Sequence, residues 1–143
     1  MKVKQISVFL ENKSGRLAQV TKILGANRIN IRALAIADTA DYGILRLIVN
    51  DPAKARAVLR AEGLTVRETE VIAVEVPDQP GGLGRVLQEL DDKGINIEYM
   101  YAFVGKTAEN AIVIFRVEET DRAVELLKNS QVKLLPDSEL YHY

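Results

Sequence analysis

Apolar and polar positions alternate from Val3 to Leu10, with Val3, Ile6, Val8 and Leu10 apolar, and this pattern predicts a half-buried strand. The period then changes. Leu17, Val20, Ile23 and Leu24 recur at helical spacing, and Gly25 and Asn27 weaken that helix near its end. Asn30 to Ile36 predicts a second strand, Asp38 to Asp41 a polar hairpin tip, and Tyr42 to Val49 a third strand. Asp51 is placed to cap a helix that starts on Pro52, buries Ala55, Val58 and Leu59, and stops at Gly63. Leu64 to Glu70 gives a fourth strand. The order is β-α-β-β-α-β.

The chain then writes that order again. Val71 to Val76 predicts a strand. Leu83, Val86, Leu87 and Leu90 make one helix face, ended by Lys93-Gly94. Ile95 to Val104 follows as a strand, Gly105 to Glu109 as a turn and Asn110 to Val117 as the next strand. Asp121 to Leu127 predicts a helix, with Ala123, Leu126 and Leu127 inward. Val132 to Leu135 predicts a last strand, cut by Pro136. An offset of 66 residues carries Gly15 onto Gly81, Leu17 onto Leu83, Val20 onto Val86, Leu24 onto Leu90, Asn30 onto Asn96 and Ile31 onto Ile97. The offset is 68 where Ala55 meets Ala123, and 66 again where Val66 meets Val132. The second hairpin is therefore two residues longer, and its tip is the expected place for them, because loops tolerate insertion. One small α+β domain is written twice, as residues 1–70 and 71–143. Glu70 runs into Val71 without Gly, Pro or Ser, so one long strand is expected to join two rigidly related halves.

Composition narrows the function. With 143 residues and 48% hydrophobic content, each half buries little surface alone and gains from packing against its copy or another chain. A homodimer or larger assembly is expected, since sheet edges seek partners. The formal net charge of −1 provides no basic field for nucleic acid. The absence of cysteine excludes disulfides, thiolate metal sites and thiol nucleophiles. The single histidine, His142, reads as a tail residue, and no metal or cofactor is expected. No signal segment or long apolar run is present, so the protein is expected to be soluble and cytoplasmic, away from membranes.

The repeated strand-to-helix loops carry the candidate chemistry. They are Glu11-Asn12-Lys13-Ser14-Gly15-Arg16-Leu17 and Pro77-Asp78-Gln79-Pro80-Gly81-Gly82-Leu83. A helix start offers unpaired N–H groups and the positive end of the helix dipole, which favour a carboxylate. Gly15, Gly81 and Gly82 remove side chains where a ligand approaches the backbone. Asn12 and Asp78 supply oxygens for an ammonium. Together these features describe a site for a free α-amino acid. The same residues also fit a plainer role: Asn12, Ser14 and Asp78 as helix caps and Pro80 as a first-turn proline.

The pieces ENKSGRL at 11–17, RINI at 28–31, DQPGGL at 78–83 and GINI at 94–97 resemble the ACT domain family of small-molecule-sensing modules, in two tandem copies over nearly the whole chain. The resemblance implies two tandem ferredoxin-like domains with antiparallel sheets, domain pairing, and an amino acid bound at a domain–domain interface. It implies Asn12 and Asp78 as polar contacts and Gly15 and Gly81 as points of backbone approach. Asn30 and Asn96, each followed by isoleucine (Ile31, Ile97), would reach across from a partner domain, or else serve as turn residues. The candidate ligand-binding set is therefore Asn12, Lys13, Ser14, Gly15, Arg16, Leu17, Asn30 and Ile31, with Asp78, Gln79, Pro80, Gly81, Gly82, Leu83, Asn96 and Ile97. The sequence departs from the family where Ser14 replaces a proline and Asn12 an aspartate. The two sites are expected to be unequal, and Asp78 gives the second loop the stronger ammonium partner.

Three rival readings meet the same residues. An RNA-recognition module needs stacking aromatics on its third strand, and Gly43 to Val49 has none. An enzyme needs a nucleophile–base pair, metal cluster or phosphate loop; none is visible, and Leu87 breaks the glycine spacing begun by Gly82 and Gly84. An interaction or oligomerisation module without a small ligand is the serious alternative. Tyr99, Tyr101 and Phe103 are expected on one strand face and Met100 on the other, as packing or as a pocket wall. No fused catalytic or DNA-binding domain is expected, and the expected recipient of a signal is another protein, such as an enzyme of amino-acid metabolism regulated in trans.

Overall fold

A computed structural model describes residues 1–11, 13–38, 41–107 and 110–141. The chain divides into two compact units, Lys4–Thr69 and the segment from Glu70 onward with Met1–Val3.

The first unit contains β1 (Val3–Glu11), α1 (Arg16–Ala26), β2 (Ile31–Asp38), β3 (Tyr42–Val49), α2 (Pro52–Ala61) and the start of β4 (Thr65–Pro77). β3 is antiparallel to both β1 and β2, and β1 also pairs with β4. Alternation along the strands puts Ile6, Val8, Leu10, Leu45, Leu47 and Val49 into one cluster with Val20 and Leu24 of α1 and Ala55 and Leu59 of α2. α2 starts where the sequence predicts: the Asp51 carboxylate accepts from the Lys54 N–H at 3.2 Å, and Pro52 opens the helix.

The second unit contains the rest of β4, then α3 (Gly82–Asp92), β5 (Ile97–Thr107), β6 (Asn110–Val117), α4 (Thr120–Leu127), β7 (Lys133–Leu135) and α5 (Asp137–Leu140). β6 is antiparallel to β4 and β5, and β4 also pairs with β7. Ile72, Val74, Val76, Val113, Phe115 and Val117 pack with Val86, Leu90, Ala123 and Leu127 of the helices. The strand joining the halves is continuous from Thr65 to Pro77.

Several expectations need correction. Leu126, expected inward on α4, is 36% exposed, and Asp38, expected in the hairpin tip, ends β2. β5 runs to Thr107, so residues 105–107, expected in a turn, belong to the strand. Ala102 faces Val113 while Lys106 faces Ala111, so the extra length of the second hairpin is absorbed by a bulge in β5 rather than at the tip. The tip residues 108 and 109 lie outside the described residues, as do 39 and 40 of the first hairpin. α5 was not expected. Its four residues are too short for an apolar period, although its Leu140 is fully buried. The alternation of Tyr99, Tyr101 and Phe103 against Met100 holds: Phe103 is buried, the tyrosines are half-buried and Met100 is exposed.

Candidate functional site

The two loops share one backbone conformation, bond for bond. In the first, the Lys13 N–H donates to Glu11 O at 2.8 Å, the Arg16 N–H to Lys13 O at 3.3 Å and the Gln19 N–H to Gly15 O at 2.9 Å. In the second, the Gln79 N–H donates to Pro77 O at 2.9 Å, the Gly82 N–H to Gln79 O at 2.9 Å and the Arg85 N–H to Gly81 O at 3.0 Å. Gly15 and Gly81 occupy the N-cap positions with φ of 88° and 83°, the left-handed region that glycine enters at least cost. Neither helix has a side-chain cap. Ser14 and Asp78 therefore lie before the N-cap, and the capping role open to them in the sequence is not the one they have. Pro80 sits in the turn, two residues ahead of α3. Asn12 lies outside the described residues.

Gly82 is needed for a different reason. It is buried, and a Cβ there would collide with the Pro77 carbonyl oxygen, so strand end and helix start touch backbone to backbone. Its N–H, like that of Arg16, turns back onto the loop. One first-turn N–H of each helix is thus satisfied internally, and the N–H groups behind it have no intrahelical acceptor.

The first loop stands between two clefts. Lys13, Arg16 and Leu17 line one of 100 Å³ with Glu11 and Ile36. Arg16 also lines one of 320 Å³, with Phe9, Glu11, Gln19, Tyr42 and Leu64. In the second half Gly82 and Pro77 line a cleft of 620 Å³ with Arg85, Asn110, Gln131 and Lys133. Asp78, Gln79, Pro80 and Gly81 are exposed at the surface and do not line that cleft. Leu83 and Leu17 differ in burial: Leu83 packs against the core, while Leu17 is 44% exposed.

The Asn-Ile turns have local structural partners. The Asn30 N–H donates to the Asn50 side-chain oxygen at 2.9 Å, and Asn30 O accepts from the Asn50 N–H at 3.2 Å. The Asn96 side chain donates to the Glu118 carboxylate at 2.8 Å, beside a separate cleft of 40 Å³. Ile31 and Ile97 pack against the two cores.

Sequence reasoning passed over Glu11. It ends β1 and lines both clefts of the first loop. The Lys13 ammonium lies 2.8 Å from its Oε2. That hydrogen bond and the lysine charge, with a smaller contribution from Arg16, hold the Glu11 carboxyl below the usual carboxylate range. A carboxylate at the end of the strand entering the loop was the available signal. Arg16 donates to the Gln19 side-chain oxygen at 3.2 Å, which leaves further guanidinium donors for a carboxylate. The arrangement can therefore hold an anion and a cation within one small volume. Among the described residues no cluster of His, Asp or Glu is placed to hold a metal ion, and no helix is long and apolar enough to cross a membrane.

Comparison with known proteins supplies the lineage. The family model of the ACT domain pair matches residues 1–143. Protein BT0572 from Bacteroides thetaiotaomicron is 45% identical, with a TM-score of 0.93 over 100% of this chain and 98% of that one. The regulatory subunit of aspartate kinase from Thermus thermophilus is 19% identical, with a TM-score of 0.61 over 90% of this chain and 92% of that one. Aspartokinase III of E. coli, solved in complex with lysine and aspartate, is 17% identical, with a TM-score of 0.53 over 90% of this chain and 31% of that one. No match is found among curated proteins. The duplicated βαββαβ order, the paired glycine loops and the family match over the full length agree: this chain belongs to the ACT domain pair family, a regulatory, amino-acid-binding family with a ferredoxin-like α+β fold.

Proposed function

We propose that this protein is a regulatory sensor of a free amino acid, built from ACT domains at 1–70 and 71–143. Its candidate binding sites are the Asn12–Leu17 and Asp78–Leu83 loops, with Asn30, Ile31, Asn96 and Ile97 as the second contacts. The observation that carries this reading is the repetition of the loop conformation. Two loops of different sequence keep the same three backbone hydrogen bonds and the same left-handed glycine. A mere connection between strand and helix does not need that conformation twice. The loops direct the positive ends of α1 and α3 outward, where a carboxylate is stabilised.

The protein acts in the cytoplasm without catalysis of its own, through a second copy and through an enzyme of amino-acid metabolism controlled in trans. The fold shared with aspartate kinase regulatory subunits supports the kind of output. The surface supports the second copy. Leu17, Leu34 and Ile36 are 44%, 47% and 45% exposed. Leu34 and Ile36 lie opposite the core residues Leu47 and Leu45, on the sheet face that carries the helices. Met100 has the same place in the second half, opposite Phe115 and 42% exposed. An apolar strip beside a binding loop is what a partner chain covers.

Calorimetry of the full chain against the twenty amino acids tests the proposal. At least one should bind, and its α-amide should not, because the helix ends then lose their anion. If none binds, the protein is an interaction module that pairs through this apolar surface.

A further inference from the structure

We infer that the two halves read different chemistry, and that the 320 Å³ cleft of the first half takes the zwitterion of an amino acid with a large apolar or aromatic side chain. This rests on the sensor reading above. It adds which half binds, which groups clamp the ligand, and which side-chain class fits.

The 320 Å³ and 620 Å³ clefts are one feature of the fold seen twice. Both lie between the end of the first strand of the half, the first helix and the start of the last strand. Equivalent positions line them, so the substitutions between halves can be compared one to one. Glu11 becomes Pro77, Arg16 becomes Gly82, Gln19 becomes Arg85, and Tyr42 becomes Asn110. Phe9 becomes Glu75, whose carboxylate is only 9% exposed and lies 3.0 Å from the Lys133 ammonium. The first cleft thus has an anion and a cation from its loop plus two aromatic residues. The second has no loop charge, and an ion pair where the first has a phenyl ring.

The first set matches a zwitterion. Lys13 engages Oε2 of Glu11, and a ligand ammonium is taken on Oε1. Gln19 occupies one Arg16 donor, and a carboxylate takes the guanidinium fork. Register puts Tyr42 directly opposite Glu11, and Phe9, two residues earlier on β1, on the same face. The Arg67 guanidinium lies 5.8 Å from the Phe9 ring centroid, which steadies that ring as a wall. The volume also decides between the two clefts of the first loop. Ligand pockets begin at roughly 300 Å³, which the larger cleft reaches and the 100 Å³ one does not. Pro77 and Gly82 bring neither charge; the charges that line the second cleft stand instead on α3 (Arg85, Glu89, Asp92) and in the Glu75–Lys133 pair, so its loop offers no matching clamp. Glu11 thereby reverses the sequence ranking, which favoured the second loop.

The test uses the full chain and calorimetry with the twenty amino acids, among them L-phenylalanine, L-leucine and L-glutamate, and with L-phenylalaninamide. L-Phenylalanine or L-leucine should bind once per chain, and the amide should not. Glu11→Gln and Arg16→Gln should each weaken binding about ten- to hundredfold, the loss expected for a hydrogen bond between charged groups. Arg85→Gln, in the second cleft, should leave the affinity unchanged. Thermal melts of each variant establish that it is folded. Apolar amino acids that bind Glu11→Gln and Arg16→Gln as well as the parent would overturn the cleft assignment and leave the sensor reading standing. Binding of L-glutamate in preference would overturn the side-chain class. No binding by any of the twenty would overturn both.

Discussion

Neighbouring glycines in the second loop are constrained by different physics, and substitution separates them. Gly81 needs its left-handed φ of 83° and has open space around a notional Cβ. Gly81→Ala should cost roughly 1–2 kcal/mol, the backbone penalty of an L-residue in that region, seen as a lower Tm with the loop geometry retained. Gly82 has an ordinary helical backbone but no space, so Gly82→Ala must move the Pro77 carbonyl and shift the loop. Overpacking of this kind costs about 1–3 kcal/mol. A crystal structure of each variant distinguishes them: an unmoved Pro77 in Gly81→Ala, a displaced one in Gly82→Ala. Glu11 gives a pH prediction at the same scale. Its carboxyl is held below its ordinary value of 4.5, so its contribution is present above the unfolded pKa and is lost as pH falls through the folded one. The Tm difference between the parent and Glu11→Gln should therefore shrink as pH falls from 7 into the acid range. A difference that stays constant across the titration would rule out the Lys13–Glu11 pair as its source.

Elements are set by periodicity and finished by caps, and the two contribute unequally. Leu90 is fully buried in the second core, on the apolar face of α3. Leu90→Ala should cost about 2–5 kcal/mol, since a cavity adds to the lost transfer energy. Asp51→Ala removes one exposed capping bond and should cost about 1 kcal/mol. Urea unfolding of both variants checks the ranking. Strand and helix boundaries within the repeats were legible because one face of each element is buried: Tyr42–Val49 and Asn110–Val117 fall where the alternation placed them. The end of β5 was not legible. Two extra residues can enter a hairpin at its tip or within a strand, and only the ladder partners of Ala102 and Lys106 distinguish these cases.

For the whole molecule, the exposed Leu17, Leu34 and Ile36 of the first half, and Met100 of the second, set the expectation of a second copy. Sedimentation at micromolar concentration should give at least twice the 15.9 kDa chain mass. Leu34→Glu with Ile36→Glu should shift it to monomer, because charge on an apolar contact is left without solvent or partner. A parent chain that sediments as a monomer would refute the assembly.

The sequence by itself determined the duplication, the fold class and the place of the loops. A period of two or 3.6 and a left-handed turn are local demands that particular residues meet or fail, and a repeat states them twice. It did not determine which loop residues line a cleft. Asp78 looked like the anchor because charge is visible in a sequence, yet it lies exposed outside the cleft of its half. Glu11 looked like the first residue of a loop, yet it ends β1, pairs with Lys13 and lines two clefts. Whether a carboxylate at a strand end meets a cation depends on the backbone turn that follows it and on the strand that register places opposite. Those are distances, and only the tertiary structure sets them.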